Sequence, residues 1–195
     1  FAYMACLNPG DEIIVTDPSY ANYMAFAISC GAVVKSVKTS IDDGFRLPPI
    51  EKFEEQITDK TKAILICNPN NPTGYLYTRS EMNQIRDLVK KYNLYLFSDE
   101  VYREFIYTKQ PYISACHLEG IEENVILIDS VSKRYSECGI RIGALITKNK
   151  KVRDAVMKMC QARLSPPLIG QIVAEASIEA SRSYKIHTYE EYIER

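Results

Sequence analysis

Lys133 closes the run Val125-Ile-Leu-Ile-Asp-Ser-Val-Ser-Lys133, and Arg141 follows inside Gly139-Ile-Arg-Ile-Gly143. A lysine at the end of a buried strand suits Schiff-base chemistry, because burial lowers its pKa and frees its lone pair. An arginine close by offers a planar fork for a phosphate. Together they point to a ligand that is both an aldehyde and a phosphate ester. Taken alone, a lysine at a strand end is usually a solvated charge, so the argument depends on what else the chain brings to the same place.

Six short apolar runs read as strands: Glu12–Thr16, Val33–Val37, Ala63–Cys67, Leu94–Ser98, Val125–Ile128 and Gly143–Thr147. Most are continuous rather than alternating, as strands covered on both faces should be. Helical patterns fall between most of them. Tyr20–Cys30 carries Tyr20, Tyr23, Met24 and Ala27 on one face, with Gly31 as its stop. Arg79–Tyr92 opens on the capping box Thr78-Arg-Ser-Glu81 and aligns Met82, Ile85 and Val89. Lys150–Ala162 aligns Val152, Val156, Met159 and Cys160, and Pro166-Pro167 start a further helix through Leu168, Ile172 and Ala176. The predicted fold class is α/β, a three-layer αβα arrangement around a mostly parallel sheet. Such sheets bind ligands beyond the carboxyl ends of their strands.

Four polar clusters each follow a predicted strand: Asp17-Pro-Ser-Tyr20, Asn68-Pro-Asn-Asn-Pro-Thr-Gly74, Ser98-Asp-Glu-Val-Tyr102 and Ser130-Val-Ser-Lys133. At these residues, and at Gly139-Ile-Arg-Ile-Gly143, the sequence resembles the class I/II aminotransferases, the aspartate-aminotransferase-like enzymes of the fold-type I pyridoxal-phosphate (PLP) group. The motifs Asn-Pro-x-Asn-Pro-Thr-Gly, Asp-Glu-x-Tyr, Ser-x-Ser-Lys and Gly-x-Arg-Ile-Gly occur in the family's order and at its usual spacing, over nearly the whole chain.

The resemblance implies a role for each matching residue. Lys133 is the catalytic lysine that binds the aldehyde of PLP and then carries the substrate's α-proton as general base and acid. Asp99 pairs with the pyridine nitrogen and keeps it protonated. Asn71 and Tyr102 hydrogen-bond the phenolic oxygen. Ser130 and Arg141 hold the phosphate, and Tyr20 stacks on the ring. The bland alternatives are turn chemistry for Asn71, a helix cap or surface acid for Asp99, packing for Tyr102 and Tyr20 in a chain with 14 tyrosines, and a surface arginine for Arg141. Glu100 reads as structural or solvent-facing. The family precedent makes the Asn71–Pro72 bond cis. Cys138 and Ile140 depart from the common Thr-Gly-Trp-Arg form, which weakens any subfamily assignment. His117 and His187 match no catalytic position.

The resemblance also implies a domain division. Residues 1–182 form the PLP-binding large domain without its N-terminal part, and 183–195 begin the helix leading to a small domain. The phosphate-binding turn, and the tyrosine a partner subunit lends, would precede Phe1. The arginine that clamps the substrate α-carboxylate would follow Arg195, and the isolated piece is expected to be inactive alone. The function implied is ping-pong transfer of an amino group between a small L-amino acid, aspartate among the candidates, and a 2-oxo acid, by a homodimer. Two alternatives stay open: a PLP-dependent C–S or other β-elimination lyase, and a PLP-sensing domain of a transcription regulator.

Composition bounds the rest. The chain has 195 residues, is 46% hydrophobic and 25% charged, and carries a net charge of −1. No block of like charge favours nucleic acid or a membrane surface. No apolar run approaches the roughly 20 residues of a membrane span. The six cysteines are scattered, mostly in apolar surroundings, with no CxxC pair. They read as reduced core thiols of a cytoplasmic protein, with no metal site.

Overall fold

In the computed structural model residues 1–194 can be described. The strands are β1 (Glu12–Asp17), β2 (Val33–Lys38), β3 (Thr61–Cys67), β4 (Tyr95–Asp99), β5 (Val125–Ser130) and β6 (Gly143–Ile146). The α-helices are α1 (Ala2–Cys6), α2 (Ala21–Ser29), α3 (Ile50–Glu54), α4 (Arg79–Tyr92), α5 (Val131–Arg134), α6 (Lys150–Arg163), α7 (Leu168–Ala176) and α8 (Arg182–Glu194). The six strands form one sheet in the order β2-β1-β3-β4-β5-β6. All neighbours run parallel except β6, which returns antiparallel along β5.

Successive residues of a strand face opposite layers, and the two cores divide accordingly. On one face Ile14, Ile64, Ile66 and Leu96 pack against Phe53 of α3 and against Met82, Ile85 and Val89 of α4. On the other face Ile13, Val15, Leu65, Phe97 and Ile126 pack against Tyr3 of α1, Tyr23 and Ala27 of α2, and Val152 and Val156 of α6. Each such fully buried side chain contributes on the order of 1.5–3 kcal/mol. The three-layer αβα expectation is met, and all six strands lie where the apolar runs placed them, to within a few residues.

α4 shows why the local sequence folds as it does. Thr78 Oγ1 accepts from Glu81 N at 3.2 Å, and Glu81 Oε2 accepts from Thr78 N at 2.7 Å, the reciprocal capping box. Asn93, with φ 50°, ends the helix in the left-handed region.

Several expectations need correction. In α2 only Tyr23 and Ala27 are buried, whereas Tyr20 and Met24 are exposed. Tyr20 is the residue before the helix, so the helical spacing does not apply to it. In α7 the Leu168–Ile172 stripe faces outward, and the helix meets the rest of the chain through Gly170. β2 is an edge strand with only Val37 buried. Cys116 and Cys138 are exposed rather than in the core. Among the described residues no helix is long and apolar enough to cross a membrane.

Candidate active site

Parallel register brings three polar clusters to one edge of the sheet. Cys67 of β3 pairs with Asp99 of β4, Asp99 pairs with Ile128 of β5, and β5 ends two residues later at Ser130. The loop after β3 is pinned from below by Asn68, whose amide donates to Ile113 O at 3.1 Å and whose carbonyl accepts from Tyr77 N at 3.1 Å. Asn70 Nδ2 donates to Thr73 Oγ1 at 2.7 Å, and Gly74 takes the positive φ of 74° that the turn requires. The Asn71–Pro72 bond is cis, as expected, and so are Asp17–Pro18 and Asn68–Pro69.

Asn71, Tyr102 and Lys133 line one cavity of about 620 Å³, with Ser132, Phe105 and Tyr192. Lys133 lies in the four-residue helix α5, and its Nζ sits 5.8 Å from the centroid of the Tyr102 ring. Lys133 is exposed, so the buried amine expected from the sequence is not found. β5 itself is buried at its start, but α5 projects beyond the sheet edge, where the cavity opens. Ser130 caps α5, its Oγ accepting from Ser132 N at 3.3 Å, which leaves its own proton free to donate.

Ser130 and Arg141 line a second cavity of about 580 Å³, which shares Ser132 with the first. Arg141 takes a positive φ of 60° and donates through Nη1 to Cys138 O at 2.6 Å. Gly143 beside it allows close approach: a β-carbon there would lie 3.1 Å from Asp129 O.

Asp99 lies at the end of β4 and lines neither cavity. Its Oδ2 accepts from Tyr23 Oη at 2.6 Å and its Oδ1 from Val101 N at 3.2 Å. Burial pushes its pKa up, the two donors pull it down, and the nearby Asp129 and Glu100 push it up again. Among the described residues no cation pairs with Asp99. Tyr20 is one ring away from this acid. Its ring meets Tyr23 edge-on at 5.5 Å, and its hydroxyl accepts from Asn22 Nδ2 at 2.8 Å.

Three features add to what the sequence shows. Tyr23 is expected only as part of the helix face, yet it holds Asp99. Glu100 is fully buried, the structural one of its two expected readings: Ala115 N donates to it at 2.8 Å, Ser98 Oγ at 3.0 Å, and Tyr112 Oη donates to its other oxygen. α8 folds back onto the cavity, with Tyr192 edge-on to Phe105 at 5.6 Å and Tyr189 stacked on Tyr107 at 5.5 Å. The alternation of a strand could have separated Asp99 from Glu100, but nothing local marks Tyr23 among so many tyrosines.

Comparison with known proteins agrees with this architecture. The sequence pattern of the family described as "Aminotransferase class I and II" matches residues 1–195. The aspartate aminotransferase of Thermotoga maritima is 36% identical over 192 residues, 97% of this chain and 50% of that protein. A "Putative aminotransferase YugH" from Bacillus subtilis is 36% identical over 174 residues, 89% of this chain and 44% of that protein. A structure of Thermus thermophilus aspartate aminotransferase superposes with a TM-score of 0.91 at 29% identity, covering 99% of this chain and 50% of that one. The chain thus spans about half the length of the relatives it matches. By its motifs, its sheet and these similarities, the chain belongs to the class I and II aminotransferases.

Proposed function

We propose that the whole protein containing this chain is a PLP-dependent aminotransferase that moves an amino group between a small L-amino acid and a 2-oxo acid. The observation that carries the reading is Asp99. It is a largely buried carboxylate held by a phenol and an amide N–H, with two further carboxylates near and no cation partner among the described residues. Such an acid is suited to a positive ligand group, which a protonated pyridine supplies.

The other donors fit the same ligand. Lys133 holds the aldehyde, Asn71 and Tyr102 the phenolic oxygen, Ser130 and Arg141 the phosphate, and Tyr20 a ring face. When bound, PLP provides an electron sink for negative charge at the substrate's α-carbon. Lys133, at the open mouth of the cavity, would take a proton from that carbon and deliver it to the cofactor's aldehyde carbon. The Asp99 charge favours the protonated ring nitrogen throughout. Residues 1–182 serve as the cofactor-binding part and α8 as the start of the connection onward. The similarity to aspartate aminotransferases makes aspartate the first substrate to try. A homodimer and a cytoplasmic location are parts of the proposal; the exposed Met24, Phe26 and Ile28 on α2 support the first of these.

The test uses the whole protein. PLP is added, the complex is reduced with borohydride, and the labelled peptide is mapped. A label on Lys133, with amino transfer that depends on a 2-oxo acid, is the expected result. A label elsewhere, or release of pyruvate and ammonia without transfer, overturns it. Lys133→Ala should lower transfer by at least about 10²–10⁴-fold.

A further inference from the structure

The proposed site rests on two turns. One leaves β4 at Asp99 and carries Tyr102, and the other leaves β5 at Ser130 and carries Lys133. From Val131 to Gly143 no residue of this chain is buried, so apolar packing does not fix the second turn against the first. A cluster of charges spans the gap instead. Asp129 Oδ2 takes Arg103 Nη2 at 2.8 Å and Arg134 Nη2 at 2.9 Å, while Oδ1 accepts from Ser130 N at 2.9 Å. Arg134 Nε lies 3.4 Å from Glu104 Oε1, an ion-pair contact without hydrogen-bond alignment. The side chains of Asp129, Arg134 and Arg103 are only 12%, 16% and 28% exposed, so these pairs are partly withdrawn from water and count for more than surface pairs do.

The placement is specific. Arg103 directly follows Tyr102, and Arg134 directly follows Lys133. One carboxylate therefore grips the neighbour of the phenolic-oxygen donor and the neighbour of the catalytic lysine, and its other oxygen grips the backbone of Ser130. We propose that Asp129 is a positioning residue that sets the distance between the turn bearing Asp99 and Tyr102 and the turn bearing Ser130 and Lys133. It touches none of the reacting atoms and acts through its two arginines. This inference rests on the PLP-dependent reading above.

The experiment uses the whole PLP-loaded protein, with Asp129→Asn, Arg134→Met and the double variant. Asp129→Asn should keep the borohydride label on Lys133 and leave the KM for the amino acid within about twofold, while kcat falls roughly tenfold, as expected for a displaced reacting group. The pH titration of the cofactor's visible absorbance should shift with it, which loss of stability alone would not cause. The double variant should be no worse than Asp129→Asn, because both remove the same tie. Unchanged kcat and titration in Asp129→Asn, or losses that multiply in the double variant, overturn the proposal. Should Asp129→Asn fail to fold, Arg103→Met, Arg134→Met and their combination decide it: less-than-multiplicative losses support the shared hub and multiplicative losses refute it. Absence of the Lys133 label in the unsubstituted protein sinks the proposed function itself. A normal label with unaltered Asp129→Asn kinetics sinks only the positioning role.

Discussion

Asp99 and Tyr23 illustrate how a single contact can govern the acid proposed to meet the cofactor's ring nitrogen. The phenol stabilises the carboxylate against burial and against Asp129 and Glu100. Removing it must raise the Asp99 pKa, so the acid protonates at higher pH. Tyr23→Phe is therefore expected to move the acidic limb of the activity profile upward, with about a tenfold loss of kcat/KM below neutrality and less above it. An unmoved acidic limb would show that Tyr23 matters only for packing. The sequence made Asp99 legible because Asp-Glu-x-Tyr is a short motif with its own spacing. Tyr23 lay 76 positions away and carried no local mark. The motif marks Lys133 as a candidate but not its exposure, since an apolar run says where a strand is buried and not how far the next helix stands off its edge.

The amino ends of β1, β2 and β3 are fastened by one acid. Glu12 Oε2 accepts from Thr58 Oγ1 at 2.7 Å and Thr61 Oγ1 at 3.0 Å, and lies 3.0 Å from Lys35 Nζ. Burial disfavours the charged form, but these three partners outweigh it and hold the Glu12 pKa below the usual carboxylate range. A depressed folded-state pKa adds stability that is full above the unfolded value and lost as pH falls through the folded one. Glu12→Gln should thus cost about 1–3 kcal/mol near neutrality and flatten the dependence of Tm on pH in the acid range. A Tm–pH curve parallel to that of the unsubstituted protein would refute this. In α4, Thr78→Ala removes one cap and should cost about 1 kcal/mol. Glu81→Ala should cost more, because Glu81 Oε1 also accepts from Leu47 N at 3.0 Å and Tyr75 Oη at 2.8 Å. Denaturant midpoints would rank the two. Both the α4 stripe and its cap were readable locally. The outward face of α7 was not, because its apolar spacing is the same whichever neighbour the helix meets.

At the scale of the whole molecule, α7 meets the loop that carries Arg141, the residue proposed to hold the phosphate. A β-carbon on Gly170 of α7 would lie 2.8 Å from Ile140 O, next to Arg141. Gly170→Ala should help the isolated helix yet cost about 1–3 kcal/mol by overpacking. It should also weaken PLP retention on dialysis, through displacement of Arg141. Full retention would show that this contact does not reach the guanidinium. The connection of α7 to the site depends on a backbone-to-backbone approach, which no spacing rule reveals.

Ser130 and Gly143 sit opposite each other in the β5–β6 ladder, and Val131 N donates to Ile142 O at 3.4 Å just beyond them. Everything between leaves the sheet at one rung and returns to the same rung. Lys133 and Arg141, proposed to hold the two ends of one small molecule, therefore hang on a single closed loop whose feet are joined by the β5–β6 ladder. On the proposed reading, the span between aldehyde and phosphate would be gauged by the length of that loop rather than by the sheet. One residue added between Ser136 and Gly139 should mismatch the gauge and loosen the grip, whereas one added at the exposed Lys109 turn should leave it intact.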